Sequence, residues 1–157
     1  MSVATRQAAC IAGVLMLLMI SQANAQSPGN RYINPPGLVK PTGYTHVVVA
    51  ADGRTVYIAG QVAFDTAGKV VGEGNFKAQA EQVYGNLKKA LASAGATFAD
   101  LVKTTTLITD VKNVPALREI RTRYLDPQHP PANTLIVATL VRPELLLEIE
   151  AVAVLRP

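Results

Sequence analysis

Two stretches near the C-terminus, Pro130-Pro131-Ala132-Asn133-Thr134-Leu135 and Glu148-Ile149-Glu150-Ala151-Val152-Ala153-Val154, decide how this chain folds. They read as two strands, over 134–140 and 145–155, joined by a Pro-marked turn. Side chains alternate along a strand, so Glu148 and Glu150 share one face while Leu147, Ile149 and Ala151 share the other. Two carboxylates in an otherwise apolar strand are costly unless they meet solvent, a partner chain or a pocket. Function is sought on that face.

Upstream, His46-Val47-Val48-Val49-Ala50 and Thr55-Val56-Tyr57-Ile58-Ala59 flank Ala51-Asp52-Gly53-Arg54. An Asp-Gly pair between β-branched runs predicts a hairpin, with Gly53 taking the positive φ of a tight turn. Gly60-Gln61-Val62-Ala63-Phe64 continues the sheet. Phe76, Ala80, Val83, Leu87, Ala90 or Leu91, and Ala94 recur at three- and four-residue steps, which predicts a helix over 76–94. Asn75 stands where an N-cap belongs and Gly95 where a C′ glycine belongs. Val- and Thr-rich residues 102–109 read as a strand, with Thr104-Thr105-Thr106 as ordinary β-formers. Asn113 is the expected cap of a second helix with Pro115 in its first turn and Leu117, Ile120, Arg121, Tyr124 and Leu125 along one side. Asp126 to Pro131 breaks that helix, and Pro- and Gly-rich residues 27–42 are expected to form an arm without regular structure.

The element order is ββ(β)αβαββ, an α+β fold with one mixed sheet and both helices on one face. Its other face is left bare and carries Val and Leu, so copies of the same chain are expected to cover it.

The N-terminus has a different character. Arg6 is followed by an apolar run from Ala8 to Ile20 and then by Ala23-Asn24-Ala25, a small-x-small cleavage pattern. The run is shorter than the roughly 20 residues of a membrane span. The expected organisation is a signal peptide over 1–25, an arm over 26–43 and one domain over 44–157, in a periplasmic or secreted protein that no longer contacts the membrane. Lys and Arg number 15 against 11 Asp and Glu, a net charge of +4. Loss of Arg6 with the signal lowers it to +3, and no basic run marks a nucleic-acid surface. The sole cysteine, Cys10, leaves with the same segment, so no disulfide is expected.

Several motifs, in order, carry a resemblance: Gly43-Tyr44; Ile58-Ala59-Gly60-Gln61-Val62; residues 79–95; Leu101-Val102-Lys103-Thr104-Thr105; Thr109-Asp110; Pro131-Ala132; and Glu148 to Ala153. Together they resemble the RidA family, also called YjgF/YER057c/UK114, over residues 44–155. The resemblance implies a chorismate-mutase-like fold in a homotrimer, with a small-molecule cleft between adjacent subunits. It also implies hydrolysis of reactive enamines and imines to a carbonyl compound and ammonia, without a cofactor. In the family pattern an Arg after the Pro-Ala pair clamps the substrate carboxylate, a Glu on the next strand handles water, a Tyr closes the cleft, and a Ser-Gly backbone turn helps hold the carboxylate.

Transferred to this chain, the Glu is Glu148, the Tyr is Tyr44 and the Gly is Gly60, but the Arg position holds Asn133. Ala59 replaces the Ser, Leu135 replaces a Cys common in the family, and Arg118 falls where an Asn often faces the cleft. A guanidinium offers a charged fork of donors, whereas Asn133 offers one neutral amide. Either Arg118 returns positive charge from another direction, or the cleft takes a neutral ligand. Glu148 is the candidate acid/base, with Tyr44, Gly60, Arg118 and Asn133 as candidate ligand contacts. The bland reading pairs Glu148 and Glu150 with Lys or Arg across strands or subunits. His46 and His129 are lone histidines without metal-ligand spacing, so no metal is expected. Two functions follow: a hydrolase of the family type with altered specificity, or a non-catalytic trimer that binds a small metabolite.

Overall fold

The computed structural model describes residues 29–157; the expected signal peptide lies outside them. Eight elements follow in order: β1 (Arg31–Ile33), β2 (Val47–Val49), β3 (Arg54–Gln61), α1 (Phe76–Ser93), β4 (Leu101–Ile108), α2 (Val114–Arg121), β5 (Ala132–Val137) and β6 (Leu147–Leu155). Strands β3 to β6 form one sheet in the order β3-β6-β4-β5. Only the β4–β5 pair is parallel, so the sheet is mixed. The fold is α+β.

The apolar stripe of α1 behaves as its spacing requires, with Ala80, Val83, Leu87 and Leu91 fully buried. Asn75 caps the helix by accepting from Ala78 N at 3.2 Å, and Gly95 takes the left-handed conformation beyond its end at φ 78°. Helix α1 lies across β3 and β6, and α2 packs against α1. Leu117 and Ile120 of α2 join Ile108, Leu147, Ile149, Ala151 and Ala153 in one core, so both helices cover the same side of the sheet.

The N-terminal arm differs from expectation. Arg31–Ile33 is a strand and pairs antiparallel with β2, Tyr32 opposite Val48. Two asparagines beside β1 fasten it: Asn30 Oδ1 accepts from Ala51 N at 2.8 Å, and Asn34 Oδ1 accepts from His46 N at 3.0 Å. β2 pairs with the arm in a separate two-stranded sheet and does not form the predicted hairpin with β3. Gly53 has no positive φ. Its small size serves close approach instead, since a Cβ there would lie 2.9 Å from the carbonyl carbon of Leu155.

Three boundaries also move. Strand β3 stops at Gln61, and Phe64 makes only an isolated bridge to Val70. Asn113 makes no capping bond; Asp110 caps a short 3-10 turn before α2 by accepting from Lys112 N at 2.8 Å. Leu140 and Leu145 lie outside β5 and β6, yet both are buried.

Alongside its apolar stripe, α1 carries three amides at positions 79, 82 and 86. Gln79 is fully buried. Its Nε2 donates to Glu144 O at 2.7 Å and Gly72 O at 3.3 Å, while its Oε1 accepts from Leu146 N at 2.8 Å. Further along the same strip, Asn86 Nδ2 donates to Val62 O at 3.0 Å and Phe64 O at 2.8 Å, and Gln82 Nε2 donates to Phe64 O at 3.0 Å. Gln79→Leu keeps the volume but strands a buried N–H and a buried carbonyl, so it is expected to cost about 3 kcal/mol. Denaturant unfolding at fixed protein concentration checks this; a loss below about 1 kcal/mol would mean that the clamp is dispensable.

Candidate functional site

The clamps on α1 fix the entry to β6 and the exit from β3, and those two places carry Glu148 and Gly60. Between Ile58 and Gln61 the β3–β6 register slips, leaving a bulge at Gly60. A Cβ on Gly60 would lie 2.7 Å from the carboxyl carbon of Glu148, closer still to its Oε1. Only glycine leaves room for that carboxylate over the bulge. Glu148 pairs with Leu107 across the sheet and Glu150 with Thr105, on the face away from the helices. Among the described residues neither acid forms an ion pair within the protomer. The cross-strand form of the bland reading therefore has no partner here.

Asn133 sits on the opposite face. It pairs with Thr104 in the parallel β4–β5 ladder, and Thr104 points toward the helices. Its Oδ1 accepts from Thr104 Oγ1 at 2.9 Å and from Thr106 Oγ1 at 3.1 Å. Those two contacts occupy the amide oxygen and leave the Nδ2 protons as the group Asn133 can offer a ligand. Thr104 and Thr106 are thus more than strand formers; their i, i+2 spacing on the buried face was the available signal.

Tyr44 lies on a loop bolted to the start of β5. The buried Thr45 donates from Oγ1 to Pro130 O at 2.6 Å and from N to Pro131 O at 3.3 Å. The Tyr44 ring meets His46 edge-on at 5.3 Å, and His46 Nε2 donates to Val39 O at 2.8 Å. Arg118 lines a depression on α2 together with Arg121, Gly43 and Pro130. Arg121 is half-buried, and that burial lowers its guanidinium pKa from the ordinary value, with nearby Arg118 acting in the same direction and Tyr84 opposing.

The five candidate residues therefore fall into separate groups. Gly60 and Glu148 touch. Asn133 and the Tyr44 loop flank the Pro130–Pro131 step, and Arg118 is near that loop through Gly43. The sheet separates Glu148 from Asn133, so one protomer cannot turn both toward one ligand. What the sequence reading missed is the supporting layer: the amide row at 79, 82 and 86, whose i, i+3, i+7 spacing puts it on one strip of α1, and Arg121, whose spacing places it beside Leu117 and Ile120.

Residues 38–155 match the endoribonuclease L-PSP family. A RutC family protein of Synechocystis is 35% identical over 116 residues, covering 73% of this chain and 88% of that protein. Among solved structures, the conserved Rid family protein YyfB of Yersinia pestis, itself of unknown function, is 41% identical with a TM-score of 0.73, covering 82% of this chain and 100% of that one. RidA from an Antarctic Psychrobacter is 32% identical with a TM-score of 0.60, covering 66% and 83%.

The contact between Gly60 and Glu148 is open to a double-mutant cycle. Gly60→Ala alone is expected to cost about 2 kcal/mol through the clash. Combined with Glu148→Ala it is expected to cost about 1 kcal/mol less, because the clashing carboxylate is gone. Additive losses in denaturant unfolding would mean that the two residues do not meet.

Proposed function

Since this chain belongs to the endoribonuclease L-PSP family and is similar to Rid and RutC family proteins, we propose that it hydrolyses a small imine or enamine with Glu148 as acid/base. The observation that carries this reading is the placement of Glu148 over the Gly60 bulge, without an ion-pair partner among the described residues. In the proposed reaction an enamine first tautomerises to the imine. Water then adds to the imine carbon while the carboxylate takes a water proton, giving a carbinolamine. That proton is passed to nitrogen to complete the neutral carbinolamine, the carboxylate then carries the hydroxyl proton to the same nitrogen, and the C–N bond breaks so that ammonia leaves as the carbonyl forms. One positioned carboxylate suffices for such proton traffic.

We further propose a homotrimer in which the Glu148 face of one protomer and the Asn133 group of another complete a cleft. Two features support it. Glu148 and Asn133 lie on opposite faces of one sheet. The helix-free face exposes apolar side chains, Tyr57 at 81% and Ile136 at 42%, of the kind subunit contacts cover. Nuclease action, suggested by the family's name, is disfavoured by a modest net charge of +4 without a basic run. The N-terminal pattern of Arg6, an apolar run and Ala23-Asn24-Ala25 supports export to the periplasm or beyond. An exported chain beginning at Gln26 by N-terminal sequencing is the expected outcome; an intact Met1 end would refute it.

One observation favours a second reading. Asn133 puts a neutral amide where the family pattern has a charged fork, which suits a trimer that binds a neutral metabolite without turning it over. Assay of the purified protein against a panel of carboxylated and neutral imines separates the two. Turnover of some imine is expected, with Glu148→Gln slower by about 10²-fold or more and a trimeric mass in light scattering. Asn133→Arg is expected to shift preference toward carboxylated imines. A folded trimer inert on every imine would leave the binding reading in place, and a monomer would remove the shared cleft.

A further inference from the structure

We infer that the depression on α2 between Arg118 and Arg121 is a binding site for a small carboxylate with an apolar body. The depression has a volume of about 260 Å³, room for a ligand of a few carbons. Two guanidiniums line it, and among the described residues neither has a carboxylate within ion-pair distance. Their neighbours are matched: Glu119 holds Lys77 at 2.9 Å, and Arg123 pairs with Glu81. The helix thus presents paired charges on its flanks and two unpaired cations at the depression.

The position of Arg121 is built by the backbone. Gly43 has φ 73°, and a Cβ there would lie 3.3 Å from the guanidinium carbon and closer to Nη2. Only glycine both adopts that conformation readily and leaves this space. A half-buried guanidinium beside a second one is electrostatically costly until an anion arrives. Asp126 also lines the depression but is committed to its own loop: its Oδ1 accepts from Gln128 N at 2.8 Å and its Oδ2 from His129 Nδ1 at 2.9 Å. Leu125 and Pro130 supply apolar wall. A planar fork of donors matches the two oxygens of a carboxylate, and the walls suit a short hydrocarbon, which favours an aliphatic carboxylate over free phosphate. The site shares Arg118 with the ligand contacts proposed for the cleft but does not use Glu148, and because butyrate carries no imine its binding is read separately from turnover.

Calorimetric titration of the purified protein with butyrate, butyramide and inorganic phosphate tests it. Butyrate is expected to bind, with butyramide and phosphate weaker by about tenfold or more. Arg118→Gln is expected to weaken butyrate about tenfold with the melting temperature unchanged, because Arg118 is exposed. Arg121→Lys, which keeps the charge and loses the fork, should fall between wild type and Arg121→Gln. If Arg121→Gln fails to fold, Arg118→Gln alone decides. The site is ruled out by absence of butyrate binding, by equal binding of butyramide, or by unchanged affinity in Arg118→Gln. Tighter binding of phosphate than of butyrate overturns the ligand class.

Discussion

The fully buried side chain of Gln79 holds this molecule's working parts in register. A primary amide is unusual at the centre of an apolar core, and it is tolerated because both of its ends are matched to backbone. Gln79 reaches from α1 to Glu144 and Leu146 just before β6, and to Gly72 just before the helix. The Glu144 carbonyl and the Leu146 N–H have no backbone partner, so without the amide they would need water or rearrangement, whereas Gly72 O also accepts from Asn75 N at 2.9 Å. Asn86 and Gln82 do the same for Val62 and Phe64 beyond β3. One rigid helix thereby sets two irregular loops, and through them the approach of Glu148 to Gly60.

The second constraint is the sheet itself. Strand geometry puts neighbouring residues on opposite faces, and the ladders assign Glu148 to one face and Asn133 to the other. No adjustment of side-chain rotamers brings them together within a protomer. A cleft that uses both must be completed by another copy, so chemistry and assembly are joined by the same geometry. The apolar exposure on the Glu148 face has the same origin: helices cover only one side of the sheet.

Charge is distributed in keeping with this division. Where the resembled pattern carries an Arg, Asn133 has its oxygen occupied by two threonine hydroxyls and only its amide protons free to donate. The unpaired guanidiniums lie on α2 instead, one of them lodged where Gly43 leaves space. A change of residue type at one position thus coincides with positive charge at a different place.

Local pattern was enough for much of the fold. The apolar steps of 76–94, the cap at Asn75 and the glycine at 95 specified α1 nearly to the residue, because helix periodicity and capping are short-range. Alternation in 147–155 identified β6 and the shared face of Glu148 and Glu150. Pairing was not legible in the same way. The strand at Arg31–Ile33 is fastened to β2 by asparagines, and the hairpin expected between β2 and β3 is absent although its turn sequence is favourable. The amide clamps, the threonine grip on Asn133 and the unpaired state of Arg121 were equally hidden, since each depends chiefly on residues distant in the chain or on a partner's absence in space. Sequence alone determined the two helices, the strands other than Arg31–Ile33, and which side chains share a face, because those follow from backbone periods of 3.6 and 2. Tertiary structure decided which edges pair and which charges go unmatched, because those depend on what distant segments place beside them.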